Sequence, residues 1–274
     1  MSPSPGHFNK TRIAPTPSGF LHLGNVMSFA VTARLARENG AKVLLRIDDL
    51  DRARADKKYI QDIFDTLDFM AIPWDEGPRN IKDFEENYSQ LHRLHLYREA
   101  LNKLCNDGRV FACNCSRRQL ELQETCRCIE QQIPLDTPNV NWRLLTGDTM
   151  LTVKNYRGDD IQAVLPAVMH NFVVRKRDGL PAYQLASVID DLYYGIDLIV
   201  RGEDLWPSTL AQQELGLAQG NNFGGITFHH HPLLMGPDGA KLSKSAGDTS
   251  IKYLRESGKK PADIYRMTGE NNPF

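Results

Sequence analysis

Three clusters of residues in this chain are of types and spacings that can do chemistry. The first is Pro15-Thr16-Pro17-Ser18-Gly19-Phe20-Leu21-His22-Leu23-Gly24-Asn25, which runs straight into an apolar-periodic stretch with Val26, Phe29, Ala30, Ala33 and Leu35. Prolines stiffen such a loop and glycines allow close backbone approach, and Asn25 or Ser28 is expected to cap the helix that follows. A helix amino end carries about half a positive charge and free N–H groups, so it stabilises a bound phosphate. His22 stands just before that end, able to donate a hydrogen bond to the phosphate. Taken alone, the loop reads equally well as an ordinary strand–turn–helix corner with a surface histidine. The second cluster, Gly239-Ala240-Lys241-Leu242-Ser243-Lys244-Ser245-Ala246-Gly247, sets two lysines and two serines between glycines; either lysine alone reads as solvated loop charge. The third is Cys113-Asn114-Cys115 with Cys126-Arg127-Cys128. Two Cys-x-Cys pairs suit a tetrahedral zinc ion held by four thiolates, the alternative being buried, unligated thiols. Four of the five cysteines fall within sixteen residues.

The elements that must position these groups follow a recognisable order. Thr11 to Ala14, the loop, a helix to about Asn39, a turn at Gly40 and the apolar run Lys42 to Ile47 predict a strand–helix–strand unit. That is half of a nucleotide-binding doubly wound sheet, whose ligands sit beyond the carboxyl ends of its strands. Asp48, Asp49 and Asp51 fall just past one such end, in a stretch without the glycine and closing glutamate of a calcium loop. Helical spacing covers 57–71 and Gln90 to Asn106, and the sheet pattern lapses between about 80 and 170. Phe172 to Arg175 and Ala182 to Leu185 flank Asp178-Gly179 and predict a hairpin. Ile196 to Val200 is expected as a strand with Arg201 at its carboxyl end, and Gly225 to Phe228 as the last strand, with His229, His230 and His231 as packing and loop residues. The expected fold is α/β: a doubly wound, Rossmann-type parallel sheet from 1–80 and 170–274, interrupted by an inserted subdomain at 81–169 that carries the zinc site.

Composition narrows the class without choosing a function. Hydrophobic and charged fractions of 41% and 24% are those of a water-soluble globular chain. No apolar run reaches membrane-spanning length, and Met1 to Lys10 lacks the apolar core of a signal peptide, so a cytoplasmic location with no membrane partner is expected. A net charge of -1 leaves RNA binding to local patches such as Arg117-Arg118, Arg175-Lys176-Arg177 or Lys259-Lys260, each also readable as an ordinary solvated face. Cysteines in such a compartment read as metal ligands or buried thiols rather than disulfides.

His22-Leu23-Gly24-Asn25 and Lys241-Leu242-Ser243-Lys244-Ser245 together resemble the two signatures of class I aminoacyl-tRNA synthetases, in the right order. Finer matches resemble the glutamyl branch: Arg12 to Gly19, Arg46-Ile47-Asp48-Asp49-Leu50-Asp51, Gly179 to Ala186, Val188-Ile189-Asp190-Asp191 and Val200-Arg201-Gly202-Glu203-Asp204. The resemblance implies ATP sites at His22, Gly24, Asn25 and Lys244, with His22, Lys241 and Lys244 serving the reaction and Mg2+ accompanying ATP. It also implies a glutamate pocket of Arg12, Ile13, Ala14, Pro15, Thr16, Asp48, Tyr183 and Arg201. Arg12 and Arg201 are the candidate carboxylate readers, since a guanidinium fork suits a carboxylate, although either can instead pair with Asp190, Asp191, Glu203 or Asp204. At position 48 the family usually has glutamate facing the substrate amino group, and aspartate keeps the charge with one methylene less reach. In the family the insertion holds the tRNA acceptor end and carries a Cys-x-Cys, its other metal ligands varying in type and spacing. Only about thirty residues follow Ser245, and no anticodon-reading domain is expected there. The short form is similar to the glutamyl-Q tRNA(Asp) synthetases, which implies ATP, L-glutamate and queuosine-bearing tRNA(Asp) as partners. The alternatives are a stand-alone or fragment glutamyl catalytic domain charging the acceptor end, a non-catalytic RNA- or protein-binding paralogue, and a small nucleotidyltransferase sharing the His-x-Gly loop.

Overall fold

The computed structural model describes residues 7–116, 119, 126–234 and 250–269. In chain order the elements are β1 (Lys10–Ile13), α1 (Leu23–Asn39), β2 (Lys42–Leu45), α2 (Lys57–Phe69), a one-turn α3 (Ile81–Asp83) and α4 (Leu94–Asn106), then β3 (Val110–Cys113), β4 (Asn141–Leu144), β5 (Met150–Asn155), β6 (Ile161–Val164) and β7 (Val173–Arg175). After these come α5 (Tyr183–Tyr193), β8 (Leu198–Gly202), α6 (Trp206–Gln219), β9 (Thr227–His231), α7 (Ile251–Glu256) and α8 (Pro261–Thr268).

The predicted strand–helix–strand unit is present: β1 and β2 pair in parallel, Lys10 opposite Lys42 through Ile13 opposite Leu45, and Gly40 ends α1 in the left-handed conformation at φ 68°. β8 and β9 also pair in parallel, and so do β9 and β5. β8 lies beside β1, where Asp197 N–H donates to the Lys10 carbonyl and the Asp197 carboxylate accepts from the Lys10 amide. Side chains alternate across these strands, and the two faces go to different cores. Val43 and Leu45 join α1 and α2 in one core with Ile13, Phe29 and Ile63, whereas Leu44 points into the other with Ile199, Leu210 and Phe228. A parallel sheet covered on both sides is the α/β architecture expected.

Three expectations change. β5 and β6, which fall inside the 81–169 segment, extend the sheet of β8 and β9, in the order β6-β5-β9-β8. Met150–Asn155 alternates exposed and buried residues, Leu151 and Val153 entering the core shared with α6, so that apolar face fixes where the strand docks. Ala182 to Leu185 is not the second arm of a hairpin. The turn at Asp178-Gly179 forms and Arg175 bridges Pro181, but Pro181 has no N–H to continue a ladder, and α5 starts two residues later with Leu185 and Val188 buried at helical spacing. The three histidines lie within β9, not after it: His229 and His231 are buried, and His230 points the other way to meet Thr209 Oγ1 at 2.8 Å.

A second sheet, antiparallel in the order β3-β4-β7, joins strands of the 81–169 segment to β7, which lies beyond it. Its Val110, Leu144 and Val174 share a core with α4 and α5, so the small sheet is packed onto the large one's helices. Adjacent acids on α5 rivet the parts together. Asp190 accepts from Arg93 (2.8 and 3.1 Å), from Gln90 Nε2 (2.9 Å) and from Tyr97 Oη (2.7 Å), tying in the stretch that opens α4. Asp191 turns to the ends of β1 and β2. Burial pushes the Asp190 carboxyl up, but Arg93 and Arg46 outweigh it and hold the group below the usual carboxylate range.

Candidate active site

The carboxyl ends of β1, β2 and β8 and the amino ends of α1 and α5 converge on a cavity of about 680 Å³. Its walls include the predicted Arg12, Ile13, Ala14, Pro15, Thr16, His22, Asn25, Tyr183 and Arg201. Ser28, Phe29 and Thr32 of α1 and Ser250 also line it, and nothing in the sequence marked these four. Lys241 and Lys244 lie outside the described residues.

The cap of α1 is His22 itself, in place of the expected Asn25 or Ser28. Its Nδ1 accepts from Gly24 N–H at 3.1 Å, and Asn25 Oδ1 returns the bond by accepting from His22 N–H at 3.0 Å. This reciprocal box uses the Gly24 amide and fixes the ring proton on Nε2, the tautomer that can donate to an anion. A histidine acting as a cap has no simple sequence signal, because serine, threonine, aspartate and asparagine dominate that position.

The two candidate arginines have different partners. Arg12 is engaged: Nε donates to Asp191 Oδ1 at 3.1 Å and NH1 to the Val200 carbonyl at 3.4 Å. Arg201 is only 3% exposed, stacks over Phe228 and has one hydrogen bond, NH2 to Gln212 Oε1 at 2.8 Å. Its Nε and NH1 are buried with no acceptor among the described residues. Burial, with Arg12 and Arg46 nearby, brings its pKa down to about 10 despite the opposing pull of Tyr183 and Asp191. A buried, under-paired guanidinium bordering a cavity keeps donors for an acceptor, whether water or an anion. Gln212, on α6, is the supporting residue that sequence reasoning missed.

Asp48 does not line this cavity. Both its oxygens are taken by Arg46, at 2.7 and 3.0 Å, while Arg46 NH1 also reaches Asp191 Oδ1 at 2.6 Å. Burial raises the Asp48 carboxyl above its ordinary value, Arg46 offsetting part of the rise. Asp48 borders instead a second cavity of about 920 Å³, which meets the first at Thr16 and Tyr183. Tyr183, 48% exposed at the start of α5, is therefore a partition and not core packing.

The second cavity reaches the cysteine cluster at Cys115, which lines it with Ser116. Sγ of Cys113, Cys115, Cys126 and Cys128 all lie within 4.8 Å of one another, with separations of 3.5, 3.8 and 3.4 Å for the 113–126, 115–126 and 115–128 pairs. Four thiolates at about 2.3 Å from one ion stand roughly 3.8 Å apart, so the set has the geometry of a tetrahedral metal site. Burial and thiol neighbours push Cys126 up to about 11 and Cys115 higher still, as expected for crowded sulfurs that need a cation to ionise.

Of the basic patches, the triplet 175–177 is spoken for: Arg175 stacks on Trp142, Lys176 pairs with Asp178 and Arg177 bonds to backbone carbonyls. Arg117 and Arg118 lie outside the described residues. No helix among the described residues is long and apolar enough to cross a membrane.

A helix terminus capped by a His-x-Gly loop, set at the carboxyl end of a parallel sheet with a cysteine-bearing insertion, defines a class I synthetase catalytic domain. The chain belongs to the family of class I tRNA synthetases (E and Q), whose catalytic-domain model matches residues 9–141 and 152–269. It is similar to a glutamyl-Q tRNA(Asp) synthetase of Symbiobacterium thermophilum, 35% identical over 92% of this chain and 83% of that protein. It is also 33% identical to a glutamate–tRNA ligase of Dehalococcoides mccartyi over 92% of this chain and 53% of the ligase, so it spans about half the length of that relative. A solved glutamate–tRNA synthetase from Elizabethkingia anophelis shares the fold at a TM-score of 0.76 and 22% identity, covering 96% of this chain and 61% of that one.

Proposed function

We propose that the chain activates L-glutamate with ATP and Mg2+ to glutamyl-adenylate and passes the glutamyl group to the queuosine base of tRNA(Asp), in the cytoplasm. The observation that carries the first half is Arg201, a buried guanidinium with two N–H groups unpaired beside the first cavity. A substrate side-chain carboxylate can accept along one edge of the guanidinium, from Nε or from NH1 together with the second N–H of NH2, with Tyr183 as the wall. The glutamate α-carboxylate attacks the ATP α-phosphate, the new O–P bond forms as the bond to pyrophosphate breaks, and the added negative charge lies at the amino end of α1. There the His22 Nε2–H is the donor, and Lys244, with Lys241, supplies further charge by resemblance. Asp48, on the wall of the second cavity, is the anion offered to the substrate amino group, and takes it by giving up part of its bond to Arg46.

The second cavity adjoins the first through Thr16 and Tyr183, which supports it as the entry for the nucleotide whose hydroxyl takes the glutamyl group. The printed name of the Symbiobacterium relative supports queuosine as that acceptor; the ligase relative supports the second reading, transfer to a tRNA acceptor end. Arg201, Gln212 and the capped helix stand in place without RNA. Glutamate-dependent exchange of pyrophosphate into ATP should therefore proceed with no tRNA present and prefer glutamate over glutamine and aspartate by more than about tenfold. A strict need for tRNA, or equal use of glutamine, contradicts this assignment.

Cys113, Cys115, Cys126 and Cys128 would hold one zinc ion, a structural charge that fixes the wall of the second cavity. Protein prepared without added zinc should carry one equivalent by metal analysis, and Cys126→Ser should lower it. Less than about a tenth of an equivalent would rule the zinc out, given how tightly such sites bind.

A further inference from the structure

β3 and β7 are the outer strands of the antiparallel sheet with β4 between them, which sets their ends about 10 Å apart. The cysteine loop leaves β3 at Cys113, and the turn Lys176 to Leu180 leaves β7 at Arg175. Arg177 spans that gap. Its NH2 donates to the carbonyls of Asn114 at 2.7 Å and Cys115 at 3.0 Å, the main chain of the first Cys-x-Cys pair. Asn114 Oδ1 in turn accepts from Cys128 Sγ at 3.4 Å, so the same short segment touches both pairs. The other bonds of the turn run elsewhere: Lys176 N–H to the Leu180 carbonyl, the Asp178 carboxylate to Leu180 N–H and Lys176 Nζ, and Lys176 Nζ to the Leu50 carbonyl. The loop with Cys115 and Ser116 and the turn with Lys176 and Asp178 are walls of one cavity, the second.

We propose that Arg177 is a positioning residue that latches the metal loop to the turn, so that metal retention and the transfer step depend on it together while glutamate activation does not. This rests on the reading of the second cavity as the acceptor's entry. The first cavity is insulated from the latch. Tyr183 rides on α5, which is held by Ala182 N–H to the Val174 carbonyl and by the buried Leu185 and Val188. Both bonds leave one nitrogen of a rigid, planar group whose reach and orientation a lysine ammonium on its flexible stem does not reproduce, which separates a latch from a simple cation for RNA.

The test compares zinc-loaded wild type with Arg177→Ala and Arg177→Lys by three readouts: zinc release to a chromogenic chelator, glutamate-dependent pyrophosphate exchange, and single-turnover transfer from preformed adenylate to tRNA. Both variants should release zinc roughly tenfold faster and transfer roughly tenfold more slowly, with exchange within about twofold of wild type, the effect expected of losing one charge-assisted pair of bonds. Unchanged zinc release, recovery of both properties in Arg177→Lys, or a parallel fall in exchange each overturns the latch. If wild type transfers glutamate to no tRNA, the proposed function fails separately. Faster zinc release from both variants would still support the latch, and unchanged release would still overturn it.

Discussion

Arg201→Met should lower kcat/KM for glutamate in pyrophosphate exchange by about 10²- to 10⁴-fold and raise the melting temperature at the same time. The first effect follows from the substrate: a glutamate side-chain carboxylate seated against Tyr183 would be buried without its cation, a penalty of about 3–5 kcal/mol. That carboxylate takes no part in bond making, so most of the loss should fall in KM. The second effect follows from the empty protein. Two buried N–H groups of Arg201 lack an acceptor among the described residues and its pKa is brought down to about 10, so the folded state carries a cost that an apolar side chain of similar length removes. Relief of about 1–2 kcal/mol should raise Tm by roughly 2–8 °C in a chain of this size. The outcome that contradicts this role is a fall in Tm with exchange intact, which would make Arg201 a structural cation.

Asp191→Ala should be the most damaging single change to stability among the residues around the site. Asp191 Oδ1 accepts from both Arg12 and Arg46, and Asp191 is fully buried. Its loss leaves two buried guanidinium groups to share Asp48, and removing one member of such a network costs about 3–5 kcal/mol. A Tm lower by ~10 °C in thermal unfolding is expected, with glutamate activation weakened as Arg12 and Arg46 relax. Asp191→Asn keeps an acceptor oxygen and should lose about half as much. Equal stability of the alanine variant and wild type would show that Arg12 and Arg46 do not depend on this carboxylate.

Much of this arrangement was legible in the sequence, and the exceptions have physical causes. Local signals located β1, β2 and the end of α1 to within two residues, because strand and helix periodicities change at Pro15 to Gly24 and Gly40, while α1 starts at Leu23, before either expected cap. The cysteine spacing likewise anticipated a cluster whose ligands are contributed by neighbouring loops. What failed was long-range or chemically unusual. Nothing local to Met150–Asn155 says that it pairs with Thr227–His231, over seventy residues on. Gly179 to Leu185 has a genuine turn signal, but the burial of Leu185 and Val188 decides for a helix after it. The opposite states of Arg12 and Arg201 could not be read from residue types, since both are arginines at strand ends. They differ because the Asp191 carboxylate accepts from Arg12, whereas the neutral Gln212 amide is the hydrogen-bond partner of Arg201 among the described residues.

The central claim is tested most directly by supplying the purified protein with ATP, Mg2+, radiolabelled glutamate and tRNA from cells that make queuosine or from cells that cannot. The account predicts label on tRNA(Asp) from the first source alone, carried after nuclease digestion by the queuosine-bearing fragment and not by the 3'-terminal adenosine. Label on tRNA from both sources that nuclease digestion releases with the 3'-terminal adenosine would contradict it and place the glutamyl group on the acceptor end.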